Sequence, residues 1–257
     1  MSKKMRADQM LVERGLVQSR SRAQAVILAG LAYSGDRRIE KAGDQLLLDA
    51  PLALKGKDHP WVSRGGVKLA HALKVLGWDV AGVVAMDVGS STGGFTDVLL
   101  TNGAAKVYAI DVGTNQLAWK LRQDERVIVH EQTNARDLTP NHVPEAVDVI
   151  VCDASFIGLA KVLSVPLQFA AGAGRLIALI KPQFEAGAAE VGKGGVVRDP
   201  VVHQRVCDEV HNWIQGAGWS VEMVMESPIK GPEGNIEFLI AARKQTIAAV
   251  EDSTETP

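Results

Sequence analysis

Cysteine is scarce in this chain: Cys152 and Cys207 are the two among 257 residues, far apart, with no close Cys or His spacing around either. That excludes a disulfide framework and suggests no zinc or other metal site. Both thiols are expected to be reduced and packed. No uninterrupted apolar run reaches the roughly 18 residues of a membrane span. The opening Met1-Ser2-Lys3-Lys4-Met5-Arg6 has no apolar signal core behind it. A cytoplasmic protein with no membrane partner is therefore expected. A large net charge is also missing, and so is a G-x-G-x-x-G dinucleotide fingerprint, which disfavours an oxidoreductase.

The net charge of −2 hides an asymmetry. Residues 1–68 hold 13 Lys and Arg against 7 Asp and Glu, leaving 15 against 23 for the rest. A small basic part joined to an acidic one is the electrostatic outline of a nucleic-acid module. Within it, residues 6–16 place Met10, Leu11 and Val12 on a short helix that Gly15 can end. A second helix follows, capped by Ser19 or Ser21, with Ala23, Val26 and Ile27 on its apolar face. Arg20 and Arg22 stand at its N-terminal end, where the dipole favours anions. Short strands are expected over 31–33 and 45–48, with a turn at Ser34-Gly35-Asp36. Residues 50–62 carry Pro51, Gly56 and Pro60 and read as a connection ending on Trp61.

What the chain does have is a buried strand, Val83 to Met86, that stops at Asp87 and turns glycine-rich through Gly89, Ser90, Ser91, Gly93 and Gly94. Such glycines allow a tight turn and close backbone approach to a ligand. Asp111 closes the next apolar strand, about where a ribose-binding acid belongs. From there strand and helix alternate: strands 83–88, 106–110, 126–129, 147–152 and 174–180, helices near 94–102, 115–122, 157–169 and 201–216. Strands 219–225 and 235–242 finish as a hairpin. This is a βαβ chain, and ligands on such sheets lie beyond the C-terminal strand ends. The rule selects Asp87, Asp111, Asn134, Asp153 and Lys181. Lys68 lies in the first turn of a helix opening near Gly65, where a cation gains nothing from the dipole, so an acidic or substrate neighbour is expected. Glu237 falls within an otherwise apolar last strand. The segment 185–199, with Gly187, Gly192, Gly194 and Gly195, reads as a mobile flap.

Several motifs carry resemblances. The spacing of Gly89, Gly93 and Gly94 behind Asp87 resembles the first motif of S-adenosylmethionine (SAM) methyltransferases, acidic-x-Gly-x-Gly-x-Gly, with Ser91 at the middle glycine. Arg-x-Asp-x-x-Leu-Val-x-x-Gly-Leu from Arg6, Ser-Arg-x-x-Ala, and Lys41-x-Gly43-Asp44 resemble the αL-type RNA-binding domain of a small-subunit ribosomal protein and of tyrosyl-tRNA synthetases. The order Lys68, Asp153, Lys181, Glu237 matches the tetrad of FtsJ-like ribose 2′-O-methyltransferases. With Lys181-Pro182-Gln183-Phe184-Glu185 and Gly192-Lys193-Gly194-Gly195-Val196-Val197-Arg198-Asp199-Pro200, the whole chain is similar to the TlyA, or haemolysin A, family of rRNA methyltransferases.

The resemblance implies an α/β fold: a seven-stranded, Rossmann-like SAM-dependent methyltransferase sheet with an antiparallel last strand, plus a small α+β RNA-binding domain. The boundaries it implies are 1–58 for the RNA-binding domain, 59–64 for a linker, 65–244 for the catalytic domain and 245–257 for a disordered tail. It implies 2′-O-methylation of cytidine ribose in ribosomal RNA, with ribosomal RNA or subunits as partner and SAM as cofactor. Lys181, neutral when substrate is bound, would accept the ribose proton, Asp153 would position it, and Lys68 and Glu237 would complete the network. Asp87, Gly89, Ser90, Ser91, Gly93 and Gly94 would surround the methionine part, Asp111 the ribose, and Asn134 and Asp137 the adenine. Arg6, Arg20, Arg22, Arg37, Arg38 and Arg64 would meet RNA phosphates. Trp61 and Val62 stand where the family has a linker coupling RNA binding to cofactor binding. The rival readings are an assembly factor that binds RNA without turnover, and a membrane-lysing haemolysin.

Overall fold

A computed structural model describes residues 4–17, 19–55 and 59–245, so the tail reading lies, from 246 on, outside the described residues. The chain divides into two compact units, Met1–Pro60 and Trp61–Pro257.

The first unit runs β1 (Lys4–Arg6), α1 (Ala7–Glu13), α2 (Arg20–Leu28), β2 (Ala32–Ser34), β3 (Arg37–Arg38), β4 (Gln45–Leu47) and β5 (Leu52–Leu54). Gly15 follows α1 at φ 68°, the left-handed turn that glycine adopts without penalty. Ser19 caps α2 by accepting from the Arg22 amide at 3.2 Å. Ala7, Leu11, Ala23, Val26, Ile27, Ala32 and Ile39 form the small core. Strand β5 falls in the stretch read as a connection. It pairs antiparallel with β2, which β3 borders on the other side. Arg14 further anchors that stretch, donating to the Leu48 and Ala50 carbonyls.

The second unit runs α3 (Gly65–Leu76), β6 (Val84–Val88), α4 (Gly94–Thr101), β7 (Lys106–Ile110), α5 (Trp119–Arg122), β8 (Val127–His130), β9 (Val147–Cys152), α6 (Leu159–Val162), β10 (Ala170–Ile180), α7 (Pro182–Glu185), α8 (Pro200–Gly216), β11 (Trp219–Glu226) and β12 (Phe238–Lys244). Its seven strands lie in the order β11-β12-β10-β9-β6-β7-β8. All are parallel except β12, which inserts antiparallel between β10 and β11. That is the expected fold. Period-two alternation sends Met86, Val88, Tyr108, Ile110, Ile150 and Cys152 into a core on one sheet face, where α8 packs through Val202, Val206, Val210 and Ile214. Ala85, Val107, Ala109, Val149 and Val151 face the other, against Leu69, Ala72 and Leu73 of α3 and Val98 and Leu99 of α4. Both faces are covered, as near-continuous apolar strands require. Burial pushes the Cys152 and Cys207 thiols up to about 12 and about 11, so both are inert. Among the described residues no helix is long and apolar enough to cross a membrane.

Three expectations are corrected. The helix expected over 115–122 is confined to Trp119–Arg122. The amides of Asn115, Gln116 and Leu117 instead donate to the Glu131 carboxylate, at 2.7, 2.8 and 3.3 Å, and Asn115 adopts φ 53°. The helix expected over 157–169 breaks into α6 and a 3-10 turn, Pro166–Phe169, because Pro166 supplies no amide and disfavours helix at Val165. The last strand begins at Phe238, so Glu237 stands just before it. Segment 185–199, read as a mobile flap, makes several contacts with its surroundings. Asn235 accepts from the Val197 amide and donates to the Gly195 carbonyl. His203 bonds the Val197 carbonyl, and Glu190 pairs with Arg205.

Candidate active site

The site lies along the C-terminal edge of the parallel strands. The register aligns Val88 of β6 with Ile110 of β7 and Cys152 of β9, so Gly89, Asp111 and Asp153 emerge at one level. Lys181 follows β10. Because β12 runs the other way and its first residue, Phe238, pairs with Ile180, Glu237 reaches the same edge from the start of a strand. Antiparallel insertion thus does what no strand-end rule anticipates.

A cavity of about 470 Å³ opens there, lined by Gly89, Ser91, Asp111, Asn134, Asp153 and Ser155 between the apolar walls Ile110, Val112, Ile157 and Val162. That is the size range of a small-ligand cleft. Asp111 accepts the Ser91 amide on one oxygen and the Gly113 amide on the other, each at 2.7 Å. Its remaining lone pairs suit a diol. Asn134 caps the following turn by accepting from the Arg136 amide at 3.1 Å, while also lining the cavity. Apolar walls with the Asp111 carboxylate and the Asn134 amide between them fit a nucleoside.

Five residues assigned to the cofactor do not line this cavity. Asp137 is exposed on the 3-10 turn Ala135–Asp137. Ser90 is buried. Asp87 lies inside β6, and its Oδ2 accepts the Thr96 amide at 2.9 Å and the Thr96 hydroxyl at 2.7 Å, bracing the start of α4. Burial nonetheless pushes Asp87 up to about 7. Gly93 and Gly94 are required by packing: a Cβ on Gly93 would meet Leu121 at 2.3 Å, and one on Gly94 would meet Ser63 at 2.3 Å. Even Gly89, which does line the cavity, has φ 78° and no room for a Cβ, which would approach the Ala154 backbone to 2.8 Å. Ser91 holds φ 46°, a conformation natural to glycine.

Beside the cavity the four predicted polar residues form one alternating chain. Glu237 Oε2 accepts from Lys68 Nζ at 2.7 Å, and Lys68 reaches Asp153 Oδ2 at 3.4 Å. Asp153 Oδ1 pairs with Lys181 Nζ at 2.7 Å. Lys68, Lys181 and Glu237 are buried and Asp153 is half-buried. Acids and bases alternate, so each buried charge faces an opposite one, the condition under which burial is tolerated. The cation in the first turn of α3 is thereby explained.

Sequence reasoning missed several supports. Lys181 also donates to the Asp153 carbonyl at 3.1 Å and to Ser155 Oγ at 2.9 Å. Glu185 accepts the Leu159 amide at 2.7 Å, joining the segment after β10 to the one after β9, and burial raises its pKa. Glu131, held down to about 2 chiefly by the Arg122 guanidinium, shapes the loop beyond Asp111. Asp97 accepts the Val62 amide at 2.7 Å and pairs with Lys120. Trp61 packs over Gly66, where a Cβ would meet its ring at 2.4 Å. Trp61 and Val62, assigned to the linker, therefore sit on the second unit. Polar residues in loops carry no periodicity, so nothing in the sequence marked these pairings, although Ser155 and Glu185 adjoin motifs already singled out.

The arginines expected to meet RNA divide into two kinds. Arg22, Arg37 and Arg64 are exposed. Arg6 and Arg20 both bond the fully buried Asp8 carboxylate at about 3.0 Å, and Arg38 pairs with Glu40 at 2.8 Å. Asp8, held well below the usual carboxylate range chiefly by Arg6, is the organising residue that the Arg-x-Asp spacing contained without revealing.

Residues 61–244 match the pattern of FtsJ-like methyltransferases. The Bacillus subtilis (strain 168) protein YqxC is 48% identical over 240 residues, covering 93% of this chain and 85% of its own. The 16S/23S rRNA (cytidine-2'-O)-methyltransferase TlyA of Mycobacterium tuberculosis is 44% identical over 251 residues, covering 97% of this chain and 94% of its own. A solved structure from Streptococcus thermophilus that carries a hemolysin name overlays with a TM-score of 0.74 at 41% identity, covering 95% of this chain and 90% of that one.

Proposed function

The chain belongs to the FtsJ-like methyltransferase family, and we propose that it methylates the 2′-oxygen of cytidine ribose in ribosomal RNA, in the cytoplasm, with SAM as methyl donor. The observation that carries this reading is the alternating chain Glu237–Lys68–Asp153–Lys181 at the rim of a nucleoside-sized cavity. SAM, when bound, supplies an electrophilic methyl group on a sulfonium. The protein's remaining task is to align a ribose hydroxyl and take its proton.

Lys181 accepts that proton. Asp153 holds the amine in place through both its carboxylate and its carbonyl, and Lys68, fixed by Glu237, keeps the Asp153 carboxylate oriented. Asp111 receives the cofactor ribose, Gly89 and Ser91 line the turn beside it, and Asn134 faces the adenine. Asp87, Gly93 and Gly94 shape the turn from beneath. The unit over 1–58 binds RNA through Arg6, Arg20, Arg22, Arg37 and Arg38, with Arg64 contributing beside the active site; Asp8 presets the first two. Phosphate contacts of this kind position the substrate without reading its sequence.

The test is tritium transfer from labelled SAM to separated ribosomal subunits and to naked rRNA, with Lys181→Ala as control. Label is expected with wild type alone, since loss of a general base costs about 10²- to 10⁴-fold, while SAM affinity is retained. Near-normal transfer by the variant would overturn the role of Lys181. No label on any substrate, despite SAM binding, would favour an assembly factor without turnover.

A further inference from the structure

We propose that Gly231, in the loop between β11 and β12, is a positioning residue for methyl transfer: its missing side chain leaves room for the Glu237 carboxylate to sit on Lys68. The inference rests on the Glu237–Lys68–Asp153–Lys181 chain being the proton-handling machinery. Glu237 is 1% exposed. Its Oε2 accepts from Lys68 at 2.7 Å, while its buried Oε1 has no hydrogen-bond partner among the described residues. The place of that second oxygen is set by packing, and Gly231 supplies the packing. A Cβ on Gly231 would stand 2.2 Å from Oε1, 2.5 Å from Cδ and 3.1 Å from Oε2. Gly231 lies outside the left-handed region, so its backbone conformation does not call for glycine. The carboxylate does.

The loop is held where it is. Gly231 donates its amide to the Asn235 carbonyl at 2.9 Å and accepts the Gly234 amide at 3.2 Å, and the Ser227 amide closes the base on the Glu237 carbonyl at 2.8 Å. Asn235, itself buried, binds the neighbouring segment with both ends of its side-chain amide, accepting from Val197 and donating to the Gly195 carbonyl. Raising the loop would break several of these bonds at once, whereas the end of a glutamate moves by rotating single bonds. An added Cβ is therefore relieved by the carboxylate swinging away from it. That movement costs Lys68 its shortest contact and leaves it Asp153, at 3.4 Å, as its acidic neighbour. Lys68 orients the Asp153 carboxylate that holds Lys181, so a displacement begun at Gly231 reaches the proton acceptor. Neither Gly231 nor Glu237 lines the cavity assigned to the cofactor, and SAM binding is left out of the effect.

The experiment is a double-mutant cycle of Gly231→Ala with Glu237→Asp, whose carboxylate ends one methylene short and clears the added Cβ. The proteins of the cycle, with Lys181→Ala as control, are followed by single-turnover methyl transfer to ribosomal subunits at saturating SAM, by SAM calorimetry and by thermal melts. Gly231→Ala alone should lose about 10²-fold in rate, the scale of a misplaced catalytic group, and should melt below wild type with SAM affinity unchanged. In the Glu237→Asp background the same substitution should change neither rate nor melting temperature. Should Glu237→Asp itself transfer too little methyl to measure, the melts complete the cycle. Wild-type rate in Gly231→Ala would overturn the positioning role. Equal losses in both backgrounds, or a fall in SAM affinity, would make Gly231 a structural part of the loop and also overturn it. An active Lys181→Ala protein would instead bring down the underlying reading.

Discussion

Each unit buries a carboxylate among basic side chains, to opposite ends. In the first, Asp8 is fully buried but its partners Arg6 and Arg20 remain 40% and 54% exposed. The acid is a root from which cations fan outward. In the second, Glu237 is closed from solvent, and the lysines of its chain, Lys68 and Lys181, are only 9% and 8% exposed. There the charges face one another and present almost nothing to water. Half-exposed pairs contribute little stability because solvent screens them, whereas removing one member of a buried pair strands its partner. On the proposed function, one arrangement would display charge to RNA phosphates and the other would fix a proton acceptor in direction.

The largest expected contrast comes from cutting each hub. Glu237→Ala should cost about 3–5 kcal/mol of stability, as for other buried pairs broken on one side, and should abolish methyl transfer. A melt within a degree of wild type would show that Lys68 finds another partner. Asp8→Asn should act more weakly and locally, lowering affinity for ribosomal RNA and making its salt dependence shallower, since fewer phosphates are then neutralised. SAM affinity measured by calorimetry should stay at the wild-type value; a fall would contradict the assignment of Asp8 to the RNA-binding unit alone.

A further contrast is in pH. The Asp87 carboxyl is raised to about 7 in the folded chain from an ordinary value near 4. The unfolded chain thus releases its proton first, and this group's contribution to stability falls as pH rises from about 4 to about 7. Asp8 is shifted the other way, so its contribution is present at neutral pH and is lost only as pH falls below about 4. Melts of wild type and Asp87→Asn between pH 4 and 7 should diverge, the variant lacking the decline. Parallel curves would show that Asp87 ionises normally.

Most strands were legible because a parallel strand covered on both faces writes itself as a short β-branched run, as Val149-Ile150-Val151 does in β9. Helices that failed did so for local reasons: Glu131 takes the amides of residues 115–117, and Pro166 interrupts the helix expected from 157. Strand β5, Leu52-Ala53-Leu54, was missed because the flanking Pro51, Gly56 and Pro60 read as the punctuation of a connection. The glycine turn was legible as a turn, but the purpose of its glycines was not. Gly93 and Gly94 make room for Leu121 and Ser63, contacts that exist only once the helices have docked.

The sequence by itself determined the strand–helix alternation, the acid and lysine at strand ends, and a basic region ahead of an acidic one, since each follows from local pattern and composition. Only the tertiary structure decided that Glu237 joins Lys68, Asp153 and Lys181. That meeting depends on β12 entering the sheet antiparallel, with Phe238 beside Ile180, which brings the start of one strand to the end of another. It also decided that Lys181 is buried while Ser155, bonded to it, is exposed, because burial is a property of the packed whole.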